Sequence, residues 1–169
     1  PLLDELESRG IERTTITLHV GYGTFKPVRV DRVEDHEVDP ERYVVSGAAA
    51  EALTRATRER RRIIAVGTTV VRALEHAASI DGVVRAGFNV ANQRIGRDTT
   101  LRVVNAILTG VHEPGTSHYE LLRAFADDAT LAAVDEEIGV HGYRHHEFGD
   151  SILVFPAGNC TFTTEANAS

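Results

Sequence analysis

The 169-residue chain is 42% hydrophobic and 25% charged. Those are globular-domain proportions, and they exclude a disordered, collagenous or disulfide-built protein. Its net charge of −7 argues against a surface devoted wholesale to neutralising phosphate. No apolar run approaches the roughly 20 residues of a membrane-spanning helix.

Chain order predicts an alternation of helices and strands. Pro1 to Gly10 reads as a short helix, with acids early and a basic residue and glycine at its close. Arg13 to Val20 is β-branched and nearly alternating, a strand. Gly21-Tyr22-Gly23 breaks it, and Thr24 to Val30 extends again. Asp31 to Arg42 is acidic, contains Pro40 and reads as a loop. Ser46 caps an alanine-rich helix running to about Arg61. Ile63 to Val66 is a short apolar strand of the kind buried on both faces. Gly67-Thr68-Thr69 turns directly into a helix over Val70 to Ala78. Val83 to Ile95 holds one or two strands, Gly96-Arg97-Asp98 a turn, and Leu101 to Thr109 another strand. Thr116 caps a helix ending near Ala126. Asp128 caps the next, stopped by Gly139. Ser151 to Phe155 is a last buried strand, and 157–169 is a polar tail, expected to fray. The expectation is an α/β fold over 1–156, a mixed β-sheet flanked by helices.

Several groups could carry chemistry. A strand end followed by Gly67, two hydroxyls and a helix start is suited to an anion, because the first helical N–H groups are unpaired. A tight turn with threonine capping is the structural alternative. Arg72 and Glu75 follow one turn along, where a ligand would meet Arg72. Glycines flanking Tyr22 allow a backbone to approach a ligand, or a simple hairpin kink. Eight histidines raise the question of a metal. His141, His145 and His146, and His112 and His118, do not form a recognised ligand spacing, so no metal is expected. The basic run Arg58, Arg60, Arg61 and Arg62 suits a helix C-terminus, or a local contact to RNA phosphate. The single cysteine, Cys160, rules out an intramolecular disulfide, and a cytoplasmic location is expected.

The spelling of several segments resembles the C-terminal half of the S-adenosylmethionine:tRNA ribosyltransferase-isomerase family of queuosine biosynthesis. Leu18 to Arg29 is similar to LHVGxGTFxPVR, and His36 and Glu41 match the histidine-and-glutamate loop that follows. Ile64 to Glu75 resembles AVGTTxxRxLE. Val103-Val104-Asn105 and Thr109 to Pro114 resemble VVDxLxTNFHLP. Ala124-Phe125-Ala126 resembles SAFAG, and Tyr143-Arg144 with Phe148-Gly149-Asp150 resembles YRFFSYGD. The similarity runs from about residue 2 to 155.

There are departures. Asp39 replaces the second histidine of the loop. Gly110 and Val111 replace Asn and Phe, and Glu120 stands at an apolar position. The Pro-Gly ahead of VVD is missing around Arg97-Asp98, and His141-Gly142 belongs to a short insertion.

The resemblance implies the main α/β domain of that fold without its inserted β-barrel. It implies transfer and isomerisation of the ribosyl group of S-adenosylmethionine onto 7-aminomethyl-7-deazaguanine in tRNA, giving epoxyqueuosine. The donor is a substrate, and no cofactor or metal is required, since the sulfonium acidifies the adjacent ribose carbon. A base removes that proton, and adenine leaves as the ring rearranges. His19, His36, Glu41 and His112 are the implied catalytic groups. Gly21, Gly23, Thr24, Phe25, Arg29, Gly67, Thr68, Thr69, Arg72, Tyr143, Arg144 and Asp150 are the implied substrate-binding residues. S-adenosylmethionine and tRNA are the implied partners, with no membrane. The departures cluster where substrate is recognised. They raise two alternatives: a divergent enzyme with a non-tRNA or small-molecule acceptor, and a non-catalytic S-adenosylmethionine-binding fragment. The chain holds no methionine and opens at Pro1. The resemblance implies a partner half carrying the barrel, so the chain is expected to be part of a longer protein.

Overall fold

A computed structural model describes residues 2–21, 38–144 and 149–156. Helix α1 covers Leu2–Ser8 and strand β1 Thr17–His19. Strand β2 spans Glu41–Val45, directly after Pro40. The expected loop therefore ends two residues early. Proline holds the chain extended there, and Tyr43-Val44-Val45 has strong strand propensity. Helix α2 covers Gly47–Arg58, and the Ser46 hydroxyl accepts from the Ala49 N–H at 3.1 Å, as the sequence predicts. Strand β3 is Ile64–Val66 and helix α3 is Thr68–Ala77. Strand β4 is Gly87–Ala91 and strand β5 is Ala106–Gly110. Helix α4 is Ser117–Leu122, capped by Thr116 as expected, and helix α5 is Asp128–His141. Strand β6 is Ser151–Val154.

The α/β class stands, but the strands divide into two three-stranded sheets rather than one. The first has the order β1-β2-β4 and is antiparallel, with Leu18 opposite Tyr43 and Tyr43 opposite Asn89. The second has the order β3-β5-β6. It is mixed: β3 and β5 run parallel, with Val66 opposite Leu108, and β6 runs antiparallel to β5. Helix α3 packs against strands of both sheets. Tyr43, Val45, Val71 and Ile107 are the largest fully buried side chains, and they come from β2, α3 and β5. Each contributes about 1.5–3 kcal/mol through apolar burial.

Five further expectations are corrected. Strand β3 is not buried on both faces, since Ile64 is 45% and Val66 65% exposed. Strand β6 likewise leaves Leu153 half exposed. The extended run ahead of β5 is not strand. Its N–H groups are claimed by a side chain, as described below. Helix α5 is capped by Asp127, whose carboxylate accepts from the Thr130 N–H at 2.8 Å. Gly139 lies inside this helix, which stops at Gly142 in the left-handed conformation (φ 67°). Among the described residues, no helix is long and apolar enough to cross a membrane.

Candidate active site

Parallel strands present their C-terminal ends on one side of a sheet, and α/β proteins commonly bind ligands there. Here β3 ends at Gly67, and β5 runs out into Val111 and His112. Gly67 has φ 97°, a value that favours glycine. It occupies the N-cap of α3 without any side-chain capping bond, so the threonine-capped turn is not what forms. Thr68 is buried. Thr69 turns its hydroxyl to the Glu41 carboxylate, with Oγ1 3.5 Å from Oε1.

Glu41 opens β2 and is buried. Its Oε2 accepts from Arg72 Nη1 at 2.8 Å. The rest of the Arg72 guanidinium donates to main-chain carbonyls: Nε to Gln93, and Nη2 to Asp39 and Ala91. Gln93 answers with its amide, donating to the Arg72 carbonyl at 2.7 Å. Burial lowers the Arg72 pKa, and the carboxylates of Glu41 and Asp39 oppose that shift. The guanidinium remains charged because its ordinary pKa lies far above neutrality. Four of its five N–H groups are thus engaged within the protein. Arg72 holds β2 and β4 in place, and little of it is left to meet a ligand directly.

Glu75, one turn further on, is buried too. Its Oε2 accepts from the Arg102 N–H at 2.7 Å. Its Oε1 accepts from the N–H groups of Val103 and Val104 at 3.0 and 2.8 Å. These bonds replace a strand ladder over 102–104. The sequence places Glu75 one turn along from the Gly67 turn with Arg72, and here it anchors backbone.

His112 follows β5. Its Nε2 shares a 2.8 Å hydrogen bond with Thr109 Oγ1. Its ring packs at 4.9 Å, centroid to centroid, against that of His118 on α4. Burial, and then the neighbouring His118, hold the His112 pKa down at about 4. Burial lowers His118 as well; Arg72 adds to that shift and Glu41 opposes it. A continuous cluster therefore runs from Thr69 and Arg72 through Glu41 and His118 to His112 and Thr109. Both imidazoles are neutral at neutral pH, and each can accept a proton at one ring nitrogen. His118 is the member that sequence reasoning misses as a site residue. Its signal is the turn at Pro114-Gly115, which returns the chain so that 112 and 118 face each other.

The remaining expected residues fall elsewhere. His19 is exposed and pairs across from Arg42. Side chains alternate along β2, so His19 lies on the sheet face opposite Glu41. Gly21 is exposed. Gly23, Thr24, Phe25, Arg29 and His36 lie outside the described residues, as do His145, His146 and Cys160. Tyr143 and Arg144 are exposed beyond α5. Asp150 ties Arg144 down: its Oδ2 accepts from the Arg144 N–H at 2.8 Å, and its carbonyl accepts from the Val111 N–H at 3.2 Å. Backbone bonds thus bring Arg144 and Asp150 alongside the residue that precedes His112. Among the described residues, no group of three His, Cys, Asp or Glu side chains could hold a metal ion.

Comparison with known proteins covers nearly the whole chain. A family model described as queuosine biosynthesis protein matches residues 1–154. S-adenosylmethionine:tRNA ribosyltransferase-isomerase of Heliobacterium modesticaldum is 42% identical over 154 residues, covering 90% of this chain and 45% of that protein. Its namesake from Anaeromyxobacter sp. (strain K) is 45% identical over 155 residues, covering 91% and 44%. The crystal structure of S-adenosylmethionine tRNA ribosyltransferase from Thermotoga maritima superimposes with a TM-score of 0.69 at 30% identity, over 90% of this chain and 48% of that one. The chain spans about half the length of the curated relatives it matches. With three family segments meeting in one cluster and the match running through residue 154, the chain belongs to the queuosine biosynthesis protein family of S-adenosylmethionine:tRNA ribosyltransferase-isomerases.

Proposed function

We propose that this chain forms part of an enzyme that transfers and isomerises the ribosyl group of S-adenosylmethionine onto 7-aminomethyl-7-deazaguanine in tRNA, giving epoxyqueuosine. The observation that carries the reading is convergence. The histidine-and-glutamate loop supplies Glu41, the GTTxxRxLE segment supplies Thr69 and Arg72, and the segment after Val104 supplies His112. These parts are far apart in sequence: Thr69 and Arg72 meet the Glu41 carboxylate, and His112 reaches that ion pair through the intervening His118 ring. A tRNA substrate supports a cytoplasmic location, and S-adenosylmethionine serves as substrate rather than cofactor.

In this reading His112 is the base. Burial keeps it unprotonated, and a hydrogen bond to Thr109 fixes its ring. With Nε2–H donated to Thr109, Nδ1 presents a lone pair for the acidified ribose proton. The imidazolium formed would sit against the neutral His118 ring, which itself lies near the Glu41 carboxylate and the Arg72 guanidinium. The uncapped start of α3 offers N–H donors to the anionic end of the methionyl group. Tyr143 and Arg144 are available to stack on or pair with nucleotide.

A second reading, with an acceptor other than tRNA, is favoured by one observation. Gly110, Val111 and Glu113, which flank His112, depart from the TNFHLP spelling. Mass spectrometry of tRNA nucleosides from a deletion strain separates the two. Loss of queuosine with its unribosylated precursor accumulating supports the first. Unchanged queuosine, with adenine still released by the purified protein, supports the second.

A further inference from the structure

At the opposite end of the second sheet lies a feature the catalytic reading does not use. Arg61 and Arg62 lead into β3, and Arg102 to Asn105 lead into β5. These two strand starts are locked reciprocally. Ile63 N–H donates to Asn105 Oδ1 at 2.8 Å, and Asn105 N–H donates to the Ile63 carbonyl at 2.8 Å. Beside them opens a cleft of about 470 Å³ lined by Arg60, Arg61, Arg62 and Arg102, with Thr57 and Asn105. Among the described residues no carboxylate lines it, although the chain as a whole carries −7.

The engagement of these arginines matters. Arg61 is shared with Glu12 and Glu59 at 3.4 and 3.9 Å. Arg102 donates to the Ser79 carbonyl, which holds the side chain, and it makes no ion pair among the described residues. Arg62 lies over the Phe155 ring, 5.7 Å from its centroid. Arg60 holds a left-handed backbone (φ 56°) that arginine seldom adopts, and its side chain makes no hydrogen bond or ion pair among the described residues. Asn105 spends its oxygen on Ile63, which leaves its amide nitrogen to donate. Family spelling has a carboxylate at this position (VVD); asparagine keeps the Ile63 bond and removes the negative charge.

From this we infer that the cleft binds the phosphate backbone of an RNA strand, on the end of the sheet opposite the reaction site. The inference rests on the proposed tRNA substrate and adds a second contact surface for it. Guanidinium forks suit phosphate oxygens. An open cleft with several separate cations follows a strand better than it encloses one free phosphate. An arginine lying over an aromatic ring also offers a guanidinium plane on which a base stacks.

The test measures tRNA binding by the full-length protein against salt concentration. Arg60→Asn with Arg62→Gln removes two charges; asparagine tolerates the left-handed backbone, so folding is spared. Asn105→Asp keeps the acceptor for Ile63 and introduces a negative charge. Each variant should weaken tRNA binding by roughly tenfold near 0.1 M salt. The double variant should flatten the log–log salt dependence by about 1.5, close to one counterion per lost contact. Binding of S-adenosylmethionine by calorimetry should not change. Unchanged tRNA affinity and salt slope in both variants would overturn the inference. So would loss of inorganic phosphate binding with tRNA binding intact, which would make the cleft a small-anion site. If the unmodified protein has no affinity for tRNA, the proposed function falls as well, a result distinct from either.

Discussion

His112 and Arg72 show what a single residue's surroundings decide. Both stand in segments that resemble the family, and both are expected at the ligand. Arg72 is occupied by one carboxylate and three carbonyls, so its contribution is to hold the site's walls. Nothing local in the sequence announces that, because its acceptors come from residues 39, 41, 91 and 93. His112 keeps its chemistry because its hydrogen-bonding partner is a hydroxyl rather than a charge. Its pKa of about 4 lies below the 6.5 of an unfolded histidine. Between about pH 6.5 and pH 4 the unfolded chain takes up a proton that the folded chain refuses. Stability therefore falls as the pH drops through that window and levels off below it, and His118 shifts in the same direction. We expect His112→Gln to remove part of this acid slope in denaturant titrations and to lower turnover by about 10²-fold or more, the usual cost of a lost general base. Unchanged turnover would show that another group takes the proton.

Elements are legible where their signals are local. Ser46 and Thr116 have the residue type and position of caps, and both cap. Strand β5 reads as starting five residues too early, because Leu101 to Asn105 has strand composition while amides within it belong to Glu75. A carboxylate that reaches across 27 residues leaves no trace in a short sequence window. Helix α5 reads as stopping at Gly139, but a glycine inside a helix costs only about 1 kcal/mol, and the left-handed stop falls at Gly142. Substituting Gly142→Ala should destabilise the protein by about 1 kcal/mol, read as a lower denaturant midpoint with an unchanged slope. The same substitution at Gly139 should be neutral or stabilising. Helix α4 explains one departure: Glu120, at an expected apolar position, is buried but meets Arg123 at 3.0 Å. Arg123 in turn stands where the SAFAG spelling has serine, so the two changes complement each other within one turn.

At the scale of the molecule, the α/β class is readable from alternation, but the partition into two sheets is not. Strand β2 is hidden behind an acidic segment with a proline, and without it the first sheet has no centre. The reaction cluster is partly readable, since Glu41, Thr69, Arg72 and His112 all lie in recognisable segments. His118 joins them only through a chain reversal.

Helix α3 ties these levels together. From one helix, Arg72 grips backbone carbonyls on the first sheet's side, and Glu75 grips backbone amides at the approach to the second. Each grip is made to main chain, which cannot move aside as a side chain can. Neither sheet can open without stripping a buried charge of its partners, a step that costs several kcal/mol. The two sheets should thus behave as one cooperative unit. Amides of β4 and β5 are expected to exchange with solvent at a common opening free energy in native-state hydrogen exchange. Glu75→Gln should split them into two classes, with the second sheet opening first.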